Sequence, residues 1–338
     1  MKAAIEHISY YLPEKKISNQ DFFQLFNESV KNIDNLLKIG IEERHVVDFN
    51  QTASDIAVKA AEKLFLDHSI NRTEIDFVLF CAQEFDYYTP TTACVIHDRL
   101  KLSKHCGALD FNLGCSGYVY GLSLAKGLIE GVGLKKILLL TSSTLTKTFH
   151  PKDKSSHFLF GDGSSATLII GKDGNDSSIG EFVFGTDGNG VNKIIIKDGG
   201  GRNALTENSY VEIEDDYGNV TNNASFYMNG ISVFVFGLNL VPKMVNEILR
   251  KEKKSIQDID LFIFHQANLF LIEKIRLKLD IPEDKIFNFM KDVGNTVSSS
   301  IPIALNEAIK CGAAKKGDVI LLAGFGVGLS WAATIITL

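Results

Sequence analysis

In "SDIAVKAAEKLFLDH" (54–68) apolar residues recur every third or fourth position, the period of a helix with one buried face. "ISVFVFGLNLVPKMVNEILRKE" (231–252) shows the same period. Each of these stretches is followed by a short unbroken apolar run, Phe77 to Phe80 and then Leu261 to Phe264, the signature of a strand buried on both faces. The spacing predicts two further, largely apolar helices, Cys115 to Glu130 and Thr296 to Lys310, each entered through a glycine-bearing turn. "KILLLTSS" from Lys136 and "DVILLAGF" from Asp318 close the two series as β-rich strands. Helices alternating with buried strands predict an α/β layered fold.

The two series are copies in the same order. "EIDFVLFCAQE" (74–84) lies over "DIDLFIFHQAN" (258–268) at an offset of 184 residues, "NLGCSG" over "DVGNTV" at 180, and "KILLLTSS" over "DVILLAGF" at 182. Collinear matches at nearly one offset mark a duplicated α/β unit. The expected halves are 1–175 and 176–338, with "GKDGNDSS" (171–178) as the boundary loop. A polar, glycine-rich insertion, "KDGGGRNALTENSYVEIEDDYGNVTNN" (197–223), interrupts the second half and is expected to be mobile.

The alignment sets Cys115 of the first half over Asn295 of the second, each just after a glycine and at a predicted helix start. His265 ends a buried strand, where functional side chains of open sheets emerge. A pseudo-two-fold pairing of the halves would bring Cys115, His265 and Asn295 to one central site. Free N–H groups at a helix start favour a thiolate, so Cys115 is expected to have a lowered pKa. Cys81, Cys94, Cys106 and Cys311 read as structural.

A Cys-His-Asn set suits two chemistries. In a hydrolase, histidine takes the cysteine proton and asparagine orients the imidazole. In a condensing enzyme the cysteine carries an acyl group while histidine and asparagine hydrogen-bond the thioester carbonyl of a second, malonyl substrate, whose loss of CO₂ leaves an enolate. Asparagine fits the second role because it donates without titrating.

Composition narrows the classes. With 338 residues and a net charge of −6 the chain has no basic surplus, which excludes a nucleic-acid partner and requires a local basic patch for any acidic carrier protein. Five cysteines, without CxxC or His-x-x-x-His spacing, read as reduced thiols in the cytoplasm and no metal. The N-terminus lacks the apolar stretch of a signal peptide. "VILLAGFGVGLSWAATIITL" (319–338) is long enough to span a bilayer, but Gly324, Gly326 and Gly328 predict two buried strands meeting at a turn and no stable membrane insertion.

Nearly the whole chain resembles the thiolase-fold condensing enzymes, and within them β-ketoacyl-ACP synthase III. The resemblance rests on "YYLPEKKISN", "GIEERHVV", "NLGCSGYVYGLSLA", "FLFGDGSSATLI", "FHQAN", "GNTVSSSIPIAL" and "GFGVGLSW", in that order. It implies a thiolase-like fold of duplicated halves in α-β-α-β-α layers, with Cys115 carrying the acyl group and His265 and Asn295 serving decarboxylation and condensation. It further implies an oxyanion hole from the backbone N–H groups of Cys115 and Val327, an acyl pocket lined by Phe160, and a pantetheine tunnel past Gly230 and Asn268. Acyl-CoA or acyl-ACP and malonyl-ACP are the implied substrates, with no cofactor, an acyl carrier protein as partner, and a homodimer. In that dimer the segment from Tyr87 to Thr92 reaches into the partner's acyl pocket.

The chain also departs from the family. The tryptophan that stacks on the CoA adenine should fall near Asp34, and the arginines beside it appear as Lys38, Lys154 and Phe270. Lysine keeps the charge but loses the planar fork, so the departure argues against CoA as donor. Thr89 stands where a bulky phenylalanine narrows the pocket of some members, which suggests room for a longer acyl chain. The main reading is decarboxylative condensation; the alternative is transfer of the acyl group from Cys115 to an oxygen or nitrogen nucleophile. A papain-like hydrolase fits the Cys-His-Asn order but not the repeat.

Overall fold

The duplication seen in the sequence returns as two mixed sheets of matching strand order. The structure is a computed structural model and describes residues 1–26, 38–174, 178–216 and 218–338. The first sheet holds β1 (Lys2–Tyr11), β2 (Phe77–Cys81), β3 (Gly107–Phe111), β4 (Lys136–Ser143) and β5 (Gly163–Lys172), in the order β1-β5-β4-β2-β3. The second holds β6 (Ile179–Thr186), β7 (Leu261–Phe264), β8 (Val319–Gly326) and β9 (Ser330–Thr337), in the order β6-β9-β8-β7. Polarity repeats as well. Two antiparallel pairings, β1 with β5 and β5 with β4, are followed by the parallel pairing of β4 with β2. The second sheet matches with β6–β9, β9–β8 and the parallel β8–β7. Where the first sheet adds β3 in parallel beside β2, the second has only an isolated parallel bridge from Phe262 to Ile286. The expected boundary near residue 175 lies outside the described residues.

Six helices layer these sheets: α1 (Ala53–Asp67), α2 (Thr92–Arg99), α3 (Gly117–Gly127), α4 (Gly230–Lys251), α5 (Leu269–Lys278) and α6 (Ser300–Lys310). Helices α3 and α6 lie between the sheets, their Tyr118, Leu122, Ile301 and Leu305 filling a core with Leu79, Ile137, Ile263 and Leu322. Helices α1 and α2 cover the outer face of the first sheet, with Ala57, Leu64 and Ile96 on Val78, Phe80 and Leu138. Helices α4 and α5 cover the outer face of the second, with Val241, Val245 and Ile272 on Phe262, Phe264 and Leu321. This is the α-β-α-β-α arrangement. Sheets buried on both faces explain why the strand runs are continuously apolar rather than alternating.

Local chemistry sets the element ends. Thr52 and Asp55 form a capping box that starts α1. The helix predicted from Cys115 starts at Gly117, leaving the cysteine on the turn before it. The apolar C-terminus forms an antiparallel pair, β8 with β9, as the glycines predicted. Helix α4 has the length and composition to cross a bilayer, but Val241, Met244, Val245 and Ile248 bury one face of it in the core. The polar insertion carries two short strands, Ile213–Glu214 and Val220–Thr221, paired with each other.

The two halves meet backbone to backbone at the turn before α3. A Cβ on Gly324 of β8 would lie 2.7 Å from the carbonyl oxygen of Cys115 and 2.8 Å from Cα of Ser116. Both obstacles are backbone, so neither can swing aside. Gly324→Ala is therefore expected to cost about 1–3 kcal/mol of stability through overpacking. Urea unfolding with an unchanged midpoint would show that the turn has slack.

Candidate active site

The last turn before α3, the end of β7 and the loop before α6 bring Cys115, His265 and Asn295 to one cavity of about 170 Å³. Val327, Phe160, Gly230 and Asn268 line the same cavity, so seven of the predicted residues come together. A second, wider cavity of about 750 Å³ adjoins it and shares Gln83, Leu145, Ile194, Phe226 and Val327 as walls. Thr89 lines neither; it is exposed on a loop whose Tyr87 and Tyr88 wall the wider cavity. Lys38 and Lys154 also line neither, though their chain neighbours Ile39 and Ser155 line the narrower cavity. The adenine-stacking position near Asp34 lies outside the described residues. Phe270, in place of an arginine, stacks on Phe234 at 5.6 Å between ring centres.

The sulfur of Cys115 sits under a pair of backbone N–H groups, its own and that of Val327, which both favour its anion. A hydroxyl relay fixes the Val327 turn over it: Ser330 Oγ donates to the Val327 carbonyl at 2.9 Å and lies 2.7 Å from Ser116 Oγ. Behind the sulfur, Leu145, Phe149, Phe160, Phe226 and Val297 form an apolar shell. Gly326 closes the other side, since a Cβ there would lie 2.7 Å from Sγ. Burial outweighs the two N–H groups and pushes the Cys115 thiol up to about 12. The expected lowering is corrected: the helix start is present, but burial of the sulfur outweighs it.

His265 leaves the end of β7 with its N–H bonded to the Ala323 carbonyl at 2.8 Å. Its Nδ1 lies 2.7 Å from Ser300 Oγ, and its Nε2 faces Asn295 Nδ2 at 3.5 Å. Burial drives the His265 pKa down to about 3, partly opposed by the backbone of Val297, so the ring is neutral. Asn295 Oδ1 accepts the Val297 N–H at 2.9 Å, which turns Nδ2 towards the cavity and the His265 ring. Val297 itself adopts φ 52°, a left-handed conformation costly for a β-branched residue.

The loop carrying Asn295 is held by the first half. Asn295 N–H donates to the Leu159 carbonyl at 3.0 Å, and its own carbonyl accepts the Gly161 N–H at 3.1 Å. Ser299 Oγ lies 2.9 Å from Thr141 Oγ1 and donates to the Gly163 carbonyl at 3.2 Å. Asp162 of "GDGSS" accepts the Val47 N–H at 2.9 Å and the Thr146 N–H and hydroxyl at 3.2 and 2.5 Å, so this motif ties loops together and is no phosphate cradle. Asn268 caps α5 by accepting the Leu271 N–H at 2.8 Å. Gly230 opens α4 with free space where a Cβ would stand.

Sequence reasoning missed Gln83, which walls both cavities, and Ser300, whose only signal was a run of serines before an apolar helix. Taken together, the site offers a nucleophile beneath two N–H donors and, across the cavity, neutral side chains able to donate to a second carbonyl. That is an arrangement for forming and resolving a thioester.

Two family models match the chain: 3-oxoacyl-[acyl-carrier-protein (ACP)] synthase III over residues 109–188, and its C-terminal part over residues 249–338. Beta-ketoacyl-[acyl-carrier-protein] synthase III 2 of Staphylococcus epidermidis is 37% identical, the alignment covering 96% of this chain and 95% of that protein. A crystal structure of a 3-oxoacyl-(acyl-carrier-protein) synthase III is 44% identical, with a TM-score of 0.97 and all of each chain covered. The priming beta-ketosynthase from the R1128 polyketide biosynthetic pathway is 26% identical, with a TM-score of 0.86 over 100% of this chain and 96% of that one.

Because the folded pKa is raised, the fraction of Cys115 thiolate increases with pH across the whole neutral range. Iodoacetamide labelling of Cys115, followed by peptide mass spectrometry, should still accelerate between pH 8 and about pH 10. A plateau by pH 7 would mean that the N–H groups prevail over burial.

Proposed function

The chain belongs to the 3-oxoacyl-[acyl-carrier-protein] synthase III family, and we propose that Cys115, His265 and Asn295 divide its condensing reaction between them. The carrying observation is the one cavity in which a sulfur under two N–H groups faces the paired nitrogens of His265 and Asn295. An acyl thioester enters, and Cys115 attacks its carbonyl. The oxyanion is held by the N–H groups of Cys115 and Val327. The thiol proton passes to the departing carrier thiolate, so the neutral resting thiol leaves the step balanced.

Malonyl-ACP follows. Its free carboxylate leaves as CO₂, and its thioester carbonyl becomes an enolate oxygen held by His265 and Asn295. The enolate carbon attacks the acyl-cysteine, and the tetrahedral intermediate collapses to 3-oxoacyl-ACP. The Cys115 thiolate leaves and takes up one proton. Neutral donors suit this step because a carboxylate would repel the enolate; burial keeps the imidazole uncharged, and the amide does not titrate.

The wider cavity receives the acyl chain, bounded by Leu145, Ile194 and Phe226. Lysine rather than arginine at positions 38 and 154, and the loss of the arginine at Phe270, support a carrier-bound acyl donor over CoA. A homodimer fits two features. Strand β3 has an unpaired edge in its sheet with Leu109 exposed, and Tyr88 projects from the loop beside Thr89. The reaction runs in the cytoplasm.

Intact mass after incubation with acyl-CoA and acyl-ACP of graded length is expected to show one acyl adduct, absent in Cys115→Ala. Asn295→Ala should still take the acyl group yet lose condensation by about 10²-fold or more, the usual scale for an oxyanion donor. Equal loss of both half-reactions in Asn295→Ala would contradict the division of roles.

A further inference from the structure

Gln83 stands two residues beyond the end of β2 and lines both the nucleophile cavity and the wider one. Its side chain lies against the turn that carries the nucleophile. A Cβ on Gly114 would come within 2.7 Å of Gln83 Oε1 and 2.6 Å of the Val327 side chain. Gln83 and the oxyanion-hole residue thus converge over the residue that precedes Cys115. The glutamine is partly buried, and among the described residues no group hydrogen-bonds its amide.

The polar groups of the wider cavity have a common origin. Strands β2 and β3 are parallel neighbours in which Cys81 pairs with Phe111. The segments that follow them, Gln83 to Asp86 and Asn112, therefore emerge side by side into the cavity, where Leu145, Ile194 and Phe226 supply the apolar surface. We propose that Gln83 is a specificity-determining residue that selects an acyl group bearing a hydroxyl, which seats on the glutamine amide where the two cavities join. The proposal rests on the reading above that the acyl chain on Cys115 runs into the wider cavity.

Solvation decides the preference. Water can serve the amide while the cavities are empty. A plain alkyl chain passing the junction expels that water and returns no hydrogen bond, so the amide is desolvated without a partner. A hydroxyl replaces the lost water, and a site that hydrogen-bonds such a group rejects the analogue lacking it. The amide presents a carbonyl oxygen and an NH₂, and a hydroxyl can donate to the first or accept from the second, whichever way the amide is turned. A keto oxygen can only accept. The neighbouring carboxyls favour a donor as well, since they already act as acceptors: Glu84 takes the Thr144 N–H at 3.2 Å, and Asp86 takes the Ser54 hydroxyl at 2.5 Å.

The test is equilibrium binding of acyl-ACPs to the Cys115→Ala protein, which holds a thioester without reacting. The panel runs from hexanoyl- to decanoyl-ACP, each as the plain chain, as hydroxy forms substituted at successive carbons, and as the 3-oxo form. At least one hydroxyacyl-ACP should bind about tenfold more tightly than the plain chain of equal length. Gln83→Met on the same background keeps the length of the side chain but removes the amide. It should tighten binding of the plain chain and erase the preference, a gain that a damaged fold does not produce. Equal affinity across the panel, tightest binding of the 3-oxo form, or no binding of any hydroxyacyl-ACP would overturn the proposal. A preference that survives Gln83→Met would place the hydroxyl on another group and overturn it too. Because binding needs no turnover, failure of the unmutated protein to form an acyl adduct on Cys115 would contradict the proposed function separately from this inference.

Discussion

The constraint on which the structure depends is the contact of Cys115 with the backbone of the opposite half. Gly324 and Gly326 alternate with large residues on β8, and each leaves a gap that the nucleophile turn fills to within 3 Å of a missing Cβ. This backbone approach presses the start of α3 against β8 and puts the sulfur directly beside the Val327 N–H. It also closes the sulfur off from water. Position, oxyanion hole and burial thus follow from one act of packing, and a side chain at either glycine would disturb all of them.

Burial then sets the electrostatics. In a cavity walled by Leu145, Phe160 and Phe226, charged forms are disfavoured, so the thiol rises and the imidazole falls in pKa. The site rests neutral and develops charge only when substrate brings it. Fixed N–H groups stabilise such charge without reorganising at the moment of reaction. The Val297 N–H is consistent with this, because its bond to Asn295 Oδ1 secures the direction of the amide before any ligand arrives.

Much of this was legible in the sequence because the chain repeats itself. The strand at Leu261–Phe264 was read to the residue, and that at Phe77–Cys81 to within one, since continuous apolar runs flanked by polar residues leave little latitude. The equivalence of Cys115 and Asn295 came from the offset alone, and the structure lines one cavity with both. The direction of the Cys115 shift was not legible. A helix start is a local feature, whereas the aromatic shell and Gly326 come from distant segments. Ser300 was hidden for a similar reason, because its contact with His265 depends on which way one turn of α6 faces. Thr89, Lys38 and Lys154 were assigned by resemblance alone, and none of them lines either cavity of this chain.

The most direct test of the central claim follows the fate of the malonyl carboxyl carbon. Acyl-loaded protein would be mixed with malonyl-ACP carrying ¹³C at the free carboxyl, and CO₂ and product would be measured together. The account predicts one labelled CO₂ for each 3-oxoacyl-ACP, with no label in the product. Label retained in the product, or CO₂ released while the acyl group is merely hydrolysed from Cys115, would contradict it.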